Sequence, residues 1–221
     1  MAEHISVPLE NGATTASHYE PEEPAGALLV LAHGAGAGQR HPFIVGVAAA
    51  LAARGIDVVT FNFPYMEQKR RVPDRAPLLE ACFRAVVAAA MDQERLRTRR
   101  LFIGGKSMGG RMATHLAAQG LDPLGGVIAL GYPLHPPGKP DQIRVAHLPA
   151  IIAPVLIVQG ERDAFGTSEE LASAIETMRA PVTLHVVSGG DHSLAVKGRS
   201  KNEALDAVTT VVAGWISARL Q

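Results

Sequence analysis

The feature that most constrains this fold is an alternation that runs from residue 27 to the end of the chain. Short apolar runs of strand type alternate with longer runs of helical periodicity, and no repeat, low-complexity tract or linker interrupts them. This pattern favours a mostly parallel sheet with helices on both faces, and we expect one domain over 1–221. Strand-type runs occupy 27–34, 57–64, 101–105, 127–133, 154–160 and 182–188, and helix-type runs occupy 42–54, 76–91, 108–119 and the segments that begin near Thr167 and Asn202.

The N-terminal segment follows a different pattern. Residues 4–19 form two short runs of strand type joined at Asn11-Gly12, a dipeptide typical of two-residue hairpin turns. We therefore expect an antiparallel hairpin at the edge of the sheet.

Composition limits the function classes. Apolar residues make up 47% of the chain, enough for a sizeable core, and 21 basic residues balance 21 acidic ones, so no electrostatic footprint for nucleic acid is present. No signal peptide and no apolar run of about 18 residues are found, which predicts a cytoplasmic protein without a membrane segment. The single cysteine, Cys82, lies in an apolar helical run and is interpreted as a small buried side chain.

The motif that carries chemistry is Gly105-Lys106-Ser107-Met108-Gly109, a G-x-S-x-G between a predicted strand and a predicted helix. Glycines allow the tight strand-to-helix turn that lifts a serine hydroxyl clear of the sheet. The serine then lies at a helix N-terminus, where free N–H groups favour a developing anion. The motif predicts a nucleophilic Ser107 and the α/β-hydrolase fold.

The order of residues along the chain supplies partners for this serine. In this fold an acid and then a histidine follow the nucleophile. Asp163 follows the strand predicted at 154–160, and His192 follows the strand predicted at 182–188. We predict that Ser107, Asp163 and His192 form a catalytic triad. Asp191 is an alternative acid, although it would have to bend back onto its own neighbour.

An oxyanion hole requires two backbone N–H groups. We predict that Met108, next after the serine, provides one. The loop after the first parallel strand would provide the other from Ala35, with Gly34 as the alternative. The competing interpretation of this loop is a glycine-rich turn that binds nothing.

Two proline-rich loops, 64–77 and 133–149, follow predicted strands and are expected to border the ligand crevice. Neither is long enough for a separate lid domain. Lys106, Arg111 and Arg40 lie near the predicted nucleophile or oxyanion loop and are candidates for binding a carboxylate or phosphate of the substrate. In the alternative, Arg111 pairs with an acidic neighbour, and Lys106 and Arg40 reach solvent.

Two competing motifs fail. A phosphate-binding P-loop would need glycine at position 100, which is arginine, and the nine histidines are scattered without an H-E-x-x-H. We therefore expect no cofactor and no metal. The expected partner is a small-molecule acyl substrate, and the oligomeric state stays open.

Several segments of the chain together match the sequence pattern of a known family. The segments are LAHGAGAG (31–38), HPF (41–43), GGKSMGGRMA (104–113), LGYPLHPPGKP (130–140), QGERDAFG (159–166) and GGDHS (189–193). They resemble a small α/β-hydrolase family related to the dienelactone hydrolases, which includes testis-expressed hydrolase-like proteins and a hydrolase-like subunit of a histone-acetyltransferase complex. The resemblance implies the fold and the same three triad positions.

The resemblance has one departure. The nucleophile of the dienelactone hydrolases is cysteine, whereas the elbow here carries Ser107. The expected function is a serine hydrolase that acts on a small ester, lactone or thioester through an acyl-enzyme intermediate. The alternative is a non-catalytic interaction protein that retains the fold.

Overall fold

The computed structural model describes residues 3–220. Its centre is an eight-stranded sheet in the order β1-β2-β4-β3-β5-β6-β7-β8. The strands are β1 (Glu3–Leu9), β2 (Gly12–Tyr19), β3 (Ala27–Ala32), β4 (Ile56–Phe61), β5 (Arg100–Lys106), β6 (Gly126–Leu130), β7 (Val155–Gly160) and β8 (Val182–Val187).

The N-terminal hairpin forms as predicted. β1 pairs antiparallel with β2 up to Leu9 opposite Gly12, and Gly12 has a φ of +118°, which glycine adopts without steric cost. β2 in turn pairs antiparallel with β4, whereas β3 to β8 are all parallel. The hairpin therefore forms one edge of an otherwise parallel sheet.

Helices cover both faces of this sheet, because successive side chains of each buried strand point to opposite sides. The helices are α1 (Pro42–Ala52), α2 (Pro64–Glu67), α3 (Ala76–Met91), α4 (Met108–Ala118), α5 (Ser168–Ile175) and α6 (Lys201–Ser217), with a short 3-10 turn at Leu148–Ala150. In β3, Leu28 and Val30 belong to the core beneath α3 and α4, and Leu29 and Leu31 belong to the core beneath α1 and α6. Each fully buried side chain of this size contributes about 1.5–3 kcal/mol to the stability of the fold.

The expectation for Cys82 is met, since this side chain on α3 is buried. Along α6, the side chains of Val208, Val212 and Trp215 pack onto the core. Thr167 and Glu170 form a capping box at the start of α5. A second capping box, Ser200 with Glu203, begins α6. No helix within residues 3–220 is long and apolar enough to cross a membrane.

Several predicted strands extend too far at their carboxyl ends. The runs 27–34, 57–64 and 127–133 end as strands at Ala32, Phe61 and Leu130. The apolar pattern continues because side chains of the following loops are buried too. Phe63, Tyr65, Tyr132 and Leu134 are all 2% exposed or less, and the loop predicted at 64–77 opens with the short helix α2.

Candidate active site

Sheet topology brings two loops of the predicted site together. β4 lies on one side of β3 and β5 on the other, so the chain changes direction of winding between β3 and β5. Ligands bind at such a switch point in open α/β sheets, outside the carboxyl ends of the strands. Because Ala32 pairs with Gly105, the loop that begins at His33 and the turn that carries Ser107 leave the sheet side by side.

The turn at Ser107 has the strained geometry that the motif predicts. Ser107 has φ 51° and ψ −116°, a backbone conformation that costs a non-glycine residue about 1–3 kcal/mol. A Cβ at Gly105 would lie 2.6 Å from the carbonyl oxygen of Ala32, and one at Gly109 would lie 2.5 Å from it. Glycine is therefore required on both sides of the serine, because β3 and α4 approach too closely for any side chain.

His192 lies within hydrogen-bonding distance of both other residues of the predicted triad. His192 Nε2 is 2.8 Å from Ser107 Oγ, and His192 Nδ1 is 2.7 Å from Asp163 Oδ2. In the neutral tautomer that suits these contacts, Nδ1–H donates to Asp163 and Nε2 accepts from the serine hydroxyl. The Phe165 ring stacks on the imidazole with ring centroids 4.1 Å apart, which restricts the ring's rotation.

Asp163 is buried, and its carboxylate is held by further donors. Its Oδ1 accepts from the Phe165 backbone N–H at 2.8 Å, and its Oδ2 accepts from Gln159 Nε2 at 3.0 Å. Gln159 is itself fixed, since its Oε1 accepts from the Tyr132 N–H and its Nε2 also donates to the Gly166 carbonyl. Our sequence analysis missed Gln159. Its signal is a polar residue at the end of the apolar run VLIVQ.

Asp191, the alternative acid, makes different contacts. It is exposed, and its Oδ1 accepts from the backbone N–H groups of Ser193 at 2.8 Å and Ala195 at 3.0 Å. These bonds shape the loop that carries His192. Asp191 thus lies next to the histidine in sequence while its carboxylate binds backbone farther along.

The candidate oxyanion loop lies against the serine. A Cβ at Gly34 would be 3.5 Å from Ser107 Cβ. Within residues 3–220, neither the Ala35 nor the Met108 N–H donates a hydrogen bond, so both predicted donors are free.

His33, which sequence reasoning treated only as part of this loop, holds the loop in place. Its buried ring bonds the Gly34 carbonyl through Nδ1 at 2.8 Å and accepts from the Phe63 N–H through Nε2 at 3.1 Å. Burial lowers the pKa of His33 to about 4. The ring is therefore neutral, as a group that accepts at one nitrogen and donates at the other must be.

Lys106 turns inward. Its Nζ donates to the carbonyl oxygen of His192 at 2.5 Å, and a Cβ at Gly131 would lie 2.6 Å from that Nζ. Burial lowers the Lys106 pKa to about 8, against the opposing attraction of Asp163 and Asp191. Lys106 consequently ties the histidine loop to the nucleophile turn, and it does not extend into solvent.

The other two predicted substrate-binding residues differ in position. Arg40 is exposed, and its charge acts on the Tyr19 phenol of β2. Arg111 lies one turn along α4 from the serine, and its backbone N–H donates to the Ser107 carbonyl at 3.1 Å. Among the residues described, Arg111 forms no ion pair, so the acidic neighbour considered in the sequence is not found.

The fold and this arrangement define an alpha/beta hydrolase. Residues 25–218 match the family described as the alpha/beta hydrolase domain. The match covers most of the chain, and the chain belongs to that family.

Solved structures share the fold at low sequence identity. Dienelactone hydrolase from Anabaena variabilis is 18% identical with a TM-score of 0.81, covering 99% of this chain and 97% of that one. Est1E from Butyrivibrio proteoclasticus is 16% identical with a TM-score of 0.78, covering 98% of each chain. A serine hydrolase without a lid from Xanthomonas campestris is 19% identical with a TM-score of 0.69, covering 99% and 93%. Such identities show a common fold.

Proposed function

We propose that this chain is a serine hydrolase that cleaves a small ester, lactone or thioester through an acyl-enzyme intermediate. The observation that carries the proposal is the continuous hydrogen-bonded series from Ser107 through His192 to the buried Asp163. Ser107 adopts a strained backbone conformation within that series. The prediction of one domain over 1–221 is part of the proposal, because all three residues extend from a single sheet.

In the acylation step, Ser107 Oγ attacks the acyl carbon while His192 Nε2 accepts the hydroxyl proton. Asp163 orients the imidazole and stabilises its positive charge without taking the proton. The carbonyl π electrons move to the oxygen as the new C–O bond forms. When the intermediate collapses, the alkoxide or thiolate leaves with the proton from His192.

The negative charge of the tetrahedral intermediate needs donors in place before the reaction. We assign this role to the backbone N–H groups of Ala35 and Met108, which support the proposal because neither is used within residues 3–220. The N-terminus of α4 adds its dipole to the same point. In deacylation, water replaces the serine oxygen on the acyl carbon, and His192 takes the water's proton and returns one to Ser107.

Two structural neighbours support the proposed substrate class. One neighbour is a dienelactone hydrolase, and Est1E has been solved with ferulic acid bound. Closer kinship with testis-expressed hydrolase-like proteins, suggested by the motifs of the sequence, is part of this proposal. A non-catalytic interaction protein would need neither a strained serine nor a free pair of N–H donors.

Labelling with a fluorophosphonate probe, together with hydrolysis of 4-nitrophenyl esters of graded acyl length, tests the proposal. Wild type should be labelled and active, and Ser107→Ala should lose both properties while keeping its circular dichroism spectrum. Ser173→Ala, which removes an exposed hydroxyl from α5, is the matched control. Labelling that persists in Ser107→Ala would place the nucleophile elsewhere, and an unlabelled, inactive wild type would favour the interaction protein.

A further inference from the structure

Two basic side chains, Arg111 on α4 and Arg144 on the segment 132–148, lie outside the hydrogen-bonded series of the candidate site. Arg111 belongs to the half-buried stripe of α4 that starts at Met108. Its Nε is buried, and within residues 3–220 no group accepts a hydrogen bond from it. A buried N–H of a charged group without a partner is costly, and such groups call for a specific explanation.

The segment after β6 folds back over the same turn of α4. The Tyr132 hydroxyl donates to the Arg144 carbonyl at 2.7 Å, and the Arg144 N–H donates to the Leu134 carbonyl at 2.8 Å. Three residues farther on, His147 Nε2 lies 2.9 Å from Thr114 Oγ1. These bonds hold the segment that carries Arg144 against α4, and the charge of Arg144 acts on Arg111.

Within residues 3–220, Glu80 is the carboxylate whose charge acts on Arg111, and its oxygens are already engaged. Glu80 bonds His115 Nδ1 through Oε1 at 2.8 Å, and its Oε2 accepts from Gln119 Nε2 at 2.8 Å. Neither Arg111 nor Arg144 has an ion pair among the residues described here. Burial and then the neighbouring Arg144 lower the pKa of Arg111, against the opposing effect of Tyr132 and Glu80.

Histidines do not supply the missing partner. The rings of His115 and His147 lie 4.0 Å apart. Burial, followed by the charges of His115 and Arg111, lowers the pKa of His147 to about 4, so that this ring stays neutral at neutral pH. Two guanidinium groups therefore dominate the local potential, and guanidinium donors match the oxygens of carboxylates and phosphates.

We propose that Arg111 and Arg144 bind an anionic oxygen group, a carboxylate or a phosphate, that the substrate carries at a distance from its scissile ester. The inference rests on the proposed function, which it deepens by naming the substrate class. Arg111 is one helical turn from Ser107, so the anionic group lies within the length of a short acyl chain from the reacting carbon. Lys106 is not part of this subsite, because its ammonium group is bound to the His192 carbonyl.

The test first compares two substrates with the same acyl chain. The 4-nitrophenyl monoester of adipic acid has a free carboxylate, and its methyl-capped counterpart is neutral. Charge-assisted hydrogen bonds predict that wild type favours the charged ester about tenfold or more in kcat/KM. A third substrate with a terminal phosphate in place of the carboxylate shows which of the two anions is preferred.

The readout in the variants is the ratio of kcat/KM for charged and neutral esters. The ratio should fall to about 1 in Arg111→Met and fall severalfold in Arg144→Met. The exposed Arg179→Met, which removes one positive charge from the end of the molecule where α5 leads to β8, should keep the wild-type ratio. Because Arg144 lies on a loop, its variant provides the test if Arg111→Met does not fold.

Two results would overturn the inference. One is a wild-type enzyme that hydrolyses the neutral ester as well as both charged ones. The other is a preference that survives in both arginine variants. Failure of the proposed function would give a different result, since wild type would then hydrolyse none of the three esters and would not react with the fluorophosphonate probe.

Discussion

Lys106 makes the stability of this protein depend on pH in a predictable direction. Burial lowers its pKa from 10.5 to about 8 in the folded state, whereas the unfolded chain keeps the ordinary value. Between these two pH values, unfolded Lys106 retains a proton that the folded side chain has lost. The free energy of unfolding therefore rises as pH rises through this window.

The size of the effect follows from the shift. Each pKa unit corresponds to about 1.4 kcal/mol, so the charged form of Lys106 destabilises the fold by about 3 kcal/mol below the window. Lys106→Met removes the titrating group. The difference in unfolding free energy, wild type minus variant, should therefore increase by about 3 kcal/mol between about pH 7 and about pH 10.5.

Urea unfolding of both proteins at a series of pH values measures this difference. The subtraction cancels groups that both chains share, including Cys82, whose pKa burial raises to about 12. Lys197→Met, at an exposed lysine, controls for the loss of an ammonium group. A difference that stays flat to within about 1 kcal/mol over this range would refute the burial of a charged Lys106.

Three further predictions concern other residues. Asp163→Asn should lower kcat by about four orders of magnitude through loss of the correct histidine tautomer, whereas Asp191→Asn should cost far less; steady-state kinetics decide, and the reverse order would make Asp191 the acid. His33→Leu leaves the buried Phe63 N–H without an acceptor, so kcat should fall and unfolding should become easier by about 1–3 kcal/mol; unchanged kcat and stability would contradict this role. Asp57→Ala should destabilise by about 3–5 kcal/mol in urea unfolding, because Asp57 is buried between His18 and Arg99, and a loss below about 1 kcal/mol would count against that network.

The fold could be predicted because it depends on local patterns. Alternating strand and helix periodicity predicts the layers, and Asn11-Gly12 predicts the hairpin that closes the edge of the sheet. Strand ends could not be predicted. Apolar periodicity cannot separate a strand from a loop whose side chains are also buried, as Phe63 and Tyr132 are.

One part of the candidate site could likewise be predicted from the sequence, and another part could not. The proximity of Ser107, Asp163 and His192 follows from a motif and from chain order at the carboxyl ends of parallel strands. The hydrogen bonds that support the site could not be predicted, since each joins a side chain to a backbone atom far away in the sequence. Gln159 accepts a hydrogen bond from the Tyr132 N–H, and Lys106 donates one to the His192 carbonyl. Neither bond has a periodicity or a spacing that marks it.

The turn that carries out the chemistry and the loops that select the substrate also differ in how tightly they are packed. The turn that carries Ser107 is held by backbone contacts, because Ala32 leaves no room for a Cβ at Gly105 or Gly109. A substitution there changes the position of the nucleophile itself. The loops around it also carry exposed side chains, since Val72 is 74% exposed and Ile143 is 56% exposed, and such positions can vary without disturbing the sheet. Selection for a new substrate would therefore alter the exposed and half-buried positions of residues 64–77 and 133–149, Arg144 among them, while the serine turn stayed constant.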